Sequence, residues 1–217
     1  DGGGKHLELS PNLFEGDIVP TYELIMGLYG EEVVKELQEK GILSTSKETS
    51  GNHTRSLGTA PFNLWDTREN GVVQVPYAFA SGHYTDSEQV NIANWISEMA
   101  QESGIVNFVP RTSQSNYVEV QKGSGCHSYV GMQSGAQVLS LGDGCLFSGI
   151  AQHEFLHALG FQHEQSRPDR DDFVRINTQN IEAGQEHNFE KSSSINSLGS
   201  PYDHGSLMHY GNTYFSS

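Results

Sequence analysis

Between residues 153 and 163 the chain reads His-Glu-Phe-Leu-His-Ala-Leu-Gly-Phe-Gln-His, and no other segment narrows its possible folds as far. On an α-helix His153 and His157 lie about 40° apart on one face, one turn above each other. Two imidazole nitrogens so placed can reach a single metal ion at about 2.0–2.1 Å. A continued helix would carry His163 roughly 9 Å beyond His157, so the chain must break. Gly160 supplies the break, because a residue without Cβ tolerates positive φ. The turn then returns His163 as a third ligand. Three protein ligands leave one position open for water, which marks a catalytic zinc site and not a closed structural one. Glu154 is placed to take a proton from that water. An HExxH pair alone is also what a helix with two surface histidines looks like. The glycine and third histidine at these offsets favour metal.

Around this segment the chain reads in two parts. In residues 1–55 a stretch from Thr21 to Lys40 carries Leu24, Ile25, Leu28, Val33, Val34 and Leu37, the pattern of a helix or helix pair, with Gly41 as its stop. Residues 44–60 are rich in Ser, Thr, Gly and Asn and read as a linker or processing loop containing Arg55-Ser56. Beyond it, 72–79 reads as a strand, and 86–102 as an amphipathic helix with Asp86 as N-cap and Ile92, Trp95, Ile96 and Met99 on one face. Strands are expected at 105–110, 116–121 and 137–141, and a helix at 148–160. The last 57 residues show little regular pattern. Strands followed by helices without strict alternation make an α+β domain.

The continuation of the zinc segment is more specific still. Glu164 follows the third histidine directly, then Arg167, Asp169-Arg170-Asp171, Val174 and Ile176; further on stands Ser206-Leu207-Met208-His209-Tyr210. In this order the residues resemble the astacin family of metzincins, as do Phe108 to Thr112, Gly123 to Cys126 and Ser128 to Gly131. The resemblance runs from about Leu64 to Phe215. It implies a twisted mixed β-sheet with two main helices and an irregular C-terminal subdomain. It also implies an apolar floor under the metal at Met208, and Tyr210 as a mobile zinc ligand that stabilises the transition state. The strand near Gly123 to Cys126 would bind an extended peptide by edge pairing.

The N-terminal part also looks like the pro-segment of that family. Phe14, Gly16 and Asp17 match a Phe-x-Gly-Asp element whose Asp occupies the open zinc position in the latent form, and a carboxylate is a good zinc ligand. The implied division is an inhibitory pro-segment over 1–55 and a catalytic domain over 56–217, cut between Arg55 and Ser56 by a trypsin-like protease or by autolysis. In mature relatives the freed N-terminus links to the Glu after the third His, here Glu164. Relatives continue past the point matched by Ser217 through a stretch that includes a helix, so the C-terminal part of the domain is read as incomplete.

Cys126 and Cys145 are the only cysteines. On their own they fit either one disulfide or two buried thiols; the resemblance implies the disulfide, one of two pairs common in the family. Gly104 stands where the first member of the other pair is expected. With Asn52-His53-Thr54 as a glycosylation sequon, the expected location is extracellular, any signal peptide having been removed before Asp1. No apolar run approaches the length of a membrane span. With 12 Lys+Arg against 27 Asp+Glu and a net charge of −15, binding to nucleic acid is disfavoured.

The expected function is therefore a zinc-dependent endopeptidase in its proenzyme form, with one catalytic Zn²⁺ and protein or peptide substrates. The alternative is a non-catalytic zinc-binding module derived from a protease fold. Glu154 argues against it, since a pure binding module gains nothing from a base there.

Overall fold

The computed structural model describes residues 63–193 and 195–216, with Val34, Lys35, Gln38 and Glu39 ahead of them. Those four are helical, within the stretch expected to be helix. The rest of that stretch, the element at 14–17 with Asp17, Asn52 and the Arg55-Ser56 bond lie outside the described residues. The chain divides into two compact units, one holding Asn63–Gly160 and the other Phe161–Ser217.

Among the described residues the first unit is a six-stranded mixed sheet with two helices. In chain order they are β1 (Arg68–Glu69), β2 (Val72–Phe79), α1 (Asp86–Ser103), β3 (Val106–Pro110), β4 (Tyr117–Gln121), β5 (Cys126–Ser128), β6 (Ala136–Leu141) and α2 (Ser148–Leu159). The sheet order is β1-β2-β4-β6-β5, with β3 also on β2. β2 runs parallel to β3 and β4, and β4 parallel to β6. β1 and β5 are antiparallel to their neighbours, β5 pairing Cys126 with Leu141.

Period-two burial places Val118 and Val120 of β4 in the core, with Leu139 and Leu141 of β6. On α1 the buried residues Ile92, Ile96 and Ala100 recur at helical spacing, as do Ala151, Phe155 and Ala158 on α2. Phe155 is fully buried, with ring centroids 5.0 Å from Phe108 and 6.4 Å from Tyr77, both edge-on. Burial of such a ring stabilises by about 1.5–3 kcal/mol before any aromatic term.

The cap of α1 differs from expectation. The N-cap of α1 is Thr85 and not Asp86: the Thr85 Oγ accepts the Glu88 N–H, and the Glu88 carboxylate accepts the Thr85 N–H at 2.8 Å. This reciprocal box satisfies two helix-end donors. Asp86 sits one residue inside, where its charge complements the helix dipole. At the other end Gly104 is left-handed, φ 66, which accounts physically for a glycine at that position.

Cys126 and Cys145 form a disulfide, Cα atoms 5.7 Å apart, joining β5 to the turn that leads into α2. Closing a loop of this size stabilises by about 3 kcal/mol in the chain-entropy model. No helix among the described residues is long and apolar enough to cross a membrane.

The second unit contains 3-10 turns at Glu164–Ser166, Arg170–Asp172, Thr178–Asn180 and Glu186–Phe189, and one isolated bridge between Ile181 and Ser216. Its buried residues include Gln165, Arg167, Arg170, His187 and Asn188 alongside Tyr202, Met208, Tyr210 and Phe215. Arg167 organises them. Its guanidinium takes Asp169 in a fork, Nε to Oδ1 at 2.9 Å and Nη2 to Oδ2 at 2.8 Å, and donates from Nη1 to Glu164 at 2.9 Å. The same two Nη atoms reach the carbonyls of Pro201 and Ser200.

Candidate active site

Helix α2 carries two opposed stripes. Ala151, Phe155 and Ala158 go into the apolar core, which leaves His153 and His157, two positions on and about 200° round, to the other side. The two imidazoles meet edge-on, centroids 4.7 Å apart. The end of the helix is held from several directions. The Trp65 indole N–H donates to the Ala158 carbonyl at 2.8 Å, and the backbone N–H groups of Gly131 and Gly160 both donate to the His157 carbonyl at 2.8 Å. Gly160 closes α2 at φ 109, the positive-φ break that the histidine spacing requires.

Beyond that break, one ligand nitrogen from each of His153, His157 and His163 lies within 4.8 Å of the other two. His157 and His163 are fully buried, His153 partly so. Burying imidazoles together is unfavourable when they are charged, whereas three neutral ones suit a borderline cation such as Zn²⁺. The donor set thus fits zinc. Glu154, between the first two ligands in sequence, is 2% exposed.

In the second unit the segment expected to form the floor makes a tight turn. The Met208 N–H donates to the Ser206 Oγ, and the His209 N–H to the Ser206 carbonyl. Met208 is buried, and its carbonyl accepts the Glu164 N–H at 2.8 Å. Tyr210 is buried with its ring 4.6 Å from that of His163, stacked on Tyr214 at 5.0 Å and edge-on to Phe189. Glu164, expected to receive the mature N-terminus, accepts from Arg167 and from the Asp203 backbone N–H. Gln165 and the ring of His209, which bond the Tyr210 backbone, and Tyr202, which bonds His209, escape a reading of the sequence. Tyr202 stands in an aperiodic stretch, Gln165 carries no charge, and His209 lacks ligand spacing.

Three clustered histidines, two on a helix that ends at a left-handed glycine and the third just beyond it, with a glutamate after the first ligand, define a class: metzincin-type zinc peptidases. The profile of the peptidase family described as Astacin matches residues 60–217, and the chain belongs to the astacin family. It is 41% identical over 165 residues to the low choriolytic enzyme of Oryzias latipes, covering 76% of this chain and 60% of that protein. High choriolytic enzyme 2 of the same fish is 44% identical over 154 residues, covering 70% of this chain and 54% of that one. Zinc metalloproteinase nas-13 of Caenorhabditis elegans is 40% identical over 184 residues, covering 77% and 40%. The chain thus spans less than two thirds of the length of these curated relatives. Among solved structures, high choriolytic enzyme 1, a hatching enzyme zinc-protease from Oryzias latipes, superposes with a TM-score of 0.66 at 41% identity, covering 76% of this chain and 80% of that one. The astacin-like α+β fold follows from this match.

Proposed function

We propose that this chain is the latent form of an extracellular zinc endopeptidase. The observation that carries the reading is the cluster of His153, His157 and His163, with Glu154 on the helix that holds the first two. Zinc at that cluster supplies Lewis acidity, polarising a carbonyl and lowering the pKa of a water toward about 7. Glu154 accepts the proton from the attacking water and passes it to the leaving amine. The Tyr210 phenol donates to the oxyanion as it develops. An extended peptide pairs with the strand near Gly123 to Cys126, which leads into β5, the last strand in the sheet order.

Residues 1–55 act as the pro-segment, and Asp17 fills the fourth zinc position until the Arg55-Ser56 bond is cut by a trypsin-like protease or by autolysis. The domain from Ser56 onward is then the catalytic one, its new N-terminus directed to Glu164. The family membership, the Phe-x-Gly-Asp match and the disulfide support latency and an extracellular site of action; Asn52 is the glycosylation position. Protein substrates are in keeping with relatives named choriolytic enzymes.

Replacement of Glu154 by Gln tests the reading. After limited trypsin treatment the parent is expected to hydrolyse a chromogenic peptide, and the variant to lose about 10²–10⁴-fold in kcat with its zinc content unchanged. A parent that binds zinc yet turns over nothing after cleavage at Arg55 would establish the non-catalytic module instead.

A further inference from the structure

The backbone of Tyr210 is bonded at both its N–H and its carbonyl by side chains of the second unit, buried Gln165 and half-buried His209. Its N–H donates to the Gln165 Oε1 at 3.1 Å. Its carbonyl lies 2.9 Å from the Nδ1 of His209. A carbonyl can only accept, so Nδ1 carries the proton, and in a neutral imidazole Nε2 is then the acceptor. The Tyr202 hydroxyl stands 2.7 Å from that Nε2 and is the donor to it. Burial, followed by the nearby Glu164 carboxylate, pushes the Tyr202 phenol up to about 12, so it keeps its proton in any ordinary assay.

Tyr202 is itself fixed. Its ring stacks on Phe173 at 4.8 Å and 10°, and the Arg167 guanidinium lies 5.3 Å from its centroid. The same Arg167 holds Glu164. A relay of direct contacts therefore runs Arg167, Tyr202, His209, Tyr210.

We infer that Tyr202 and His209 are positioning residues for Tyr210: the Tyr202 hydroxyl fixes the His209 tautomer, and that tautomer holds the Tyr210 carbonyl and so the backbone from which the phenol is aimed. Catalytic donors need placement within about 0.5 Å, and locked neighbours supply it. This inference rests on the oxyanion role given to Tyr210 above, and it adds the residues that orient that group. Neither touches the reacting atoms.

The test is a double-mutant cycle on the trypsin-activated, zinc-loaded protein. Tyr210→Phe alone should lower kcat by about 10²–10³-fold. Tyr202→Phe, which keeps the stack on Phe173, should lower kcat about three- to tenfold with KM unchanged. In the Tyr210→Phe background, Tyr202→Phe should have no further effect. A Tyr202→Phe loss that persists in that background overturns the positioning role, as does a Tyr202→Phe variant with parental kcat. A silent Tyr210→Phe instead overturns the oxyanion role, so the two failures are distinct.

A second readout needs neither metal nor turnover. In the ¹⁵N spectrum of the metal-free parent at mildly alkaline pH, His209 should be a single Nδ1–H tautomer. Tyr202→Phe should turn it into a mixture, and an unchanged tautomer would sink the inference. If Tyr202→Phe does not fold, His209→Asn serves in the same cycle. Its amide can still donate to the Tyr210 carbonyl but loses Tyr202, so the same modest, kcat-only loss is expected, and additivity with Tyr210→Phe would again overturn it.

Discussion

The two units of this chain are held together by different physics. In the first, the interior is mainly apolar: Ile92, Ile96, Leu139, Leu141 and Phe155 are almost wholly buried between sheet and helices, with Gln137, Glu154 and His157 as polar exceptions. In the second, the buried set mixes Tyr202, Met208, Tyr210 and Phe215 with Arg167, Arg170, Gln165 and His187. An apolar interior is stabilised by area removed from water and tolerates imprecise geometry. A polar interior is stable only if each buried group finds its partner, and directed bonds lock a unique arrangement. The first unit therefore supplies a scaffold, and the second suits residues such as Tyr210 that must be aimed.

The sharpest way to break the comparison is to strike each interior with one substitution. Phe155→Ala removes a fully buried ring and is expected to cost about 3–5 kcal/mol in urea unfolding. Arg167→Lys keeps the charge but loses the fork onto Asp169 and the simultaneous bonds to Glu164, Ser200 and Pro201. Its cost should be about 1–3 kcal/mol. Tryptophan reports on the first unit alone, since Trp65 and Trp95 both lie there, whereas Tyr202, Tyr210 and Tyr214 of the second unit share the tyrosine signal with Tyr77, Tyr84, Tyr117 and Tyr129 of the first. Arg167→Lys should weaken the near-ultraviolet tyrosine signal while native tryptophan fluorescence stays parental. If it leaves stability and the tyrosine signal untouched, the polar interior is not what orders that unit.

The same contrast decides what can be read without coordinates. Burial at period two and at helical spacing leaves a trace in sequence, so β2, β3, β4, β6, α1 and α2 are legible to within a residue or so at each end. The cap of α1 is not, because Thr and Asp are both good N-caps and only the reciprocal Glu88 contact decides for Thr85. The histidines of the site are legible because helix geometry ties spacing to direction. Nothing comparable exists from 161 onward. Its order comes from bonds such as Arg167 to Ser200, 33 positions apart, and Tyr202 to His209, neither of which imposes a period.

The junction offers a finer test. Gly160 and Gly104 both close helices in left-handed conformations, at φ 109 and φ 66, but only Gly160 lies between two ligand histidines. Replacing either by Ala should cost of order 1–2 kcal/mol in stability. Gly160→Ala alone should also weaken zinc binding, by about five- to thirtyfold in a competitive chelator titration if the strain falls on the position of His163. Equal zinc affinity in both variants would mean that His163 is placed by the second unit and not by the turn.

The smallest effect is expected on acidification. Hydrogen bonds from Arg167 hold the Asp169 carboxyl below its ordinary range, and Lys191, then Arg170, do the same for Asp171. In the first unit Glu88 is lowered mainly by the Thr85 N–H and hydroxyl. A carboxylate depressed in the folded state binds protons more readily when unfolded, so its stabilisation is present above the unfolded value of about 3.9–4.3 and is lost as the pH falls through the folded one. All three groups are well solvated, which keeps each contribution small. Metal-free protein is the right sample, since loss of bound metal on acidification would otherwise add an acid limb of its own. Its melting temperature should fall between about pH 5 and pH 2. Because the second unit has two such carboxylates bound to arginines that order it, Asp169→Asn with Asp171→Asn should flatten that limb more than Glu88→Gln does. The reverse ranking would show that acid attacks the scaffold first, and that the polar interior owes its order to its neutral hydrogen bonds and stacked rings instead of its ion pairs.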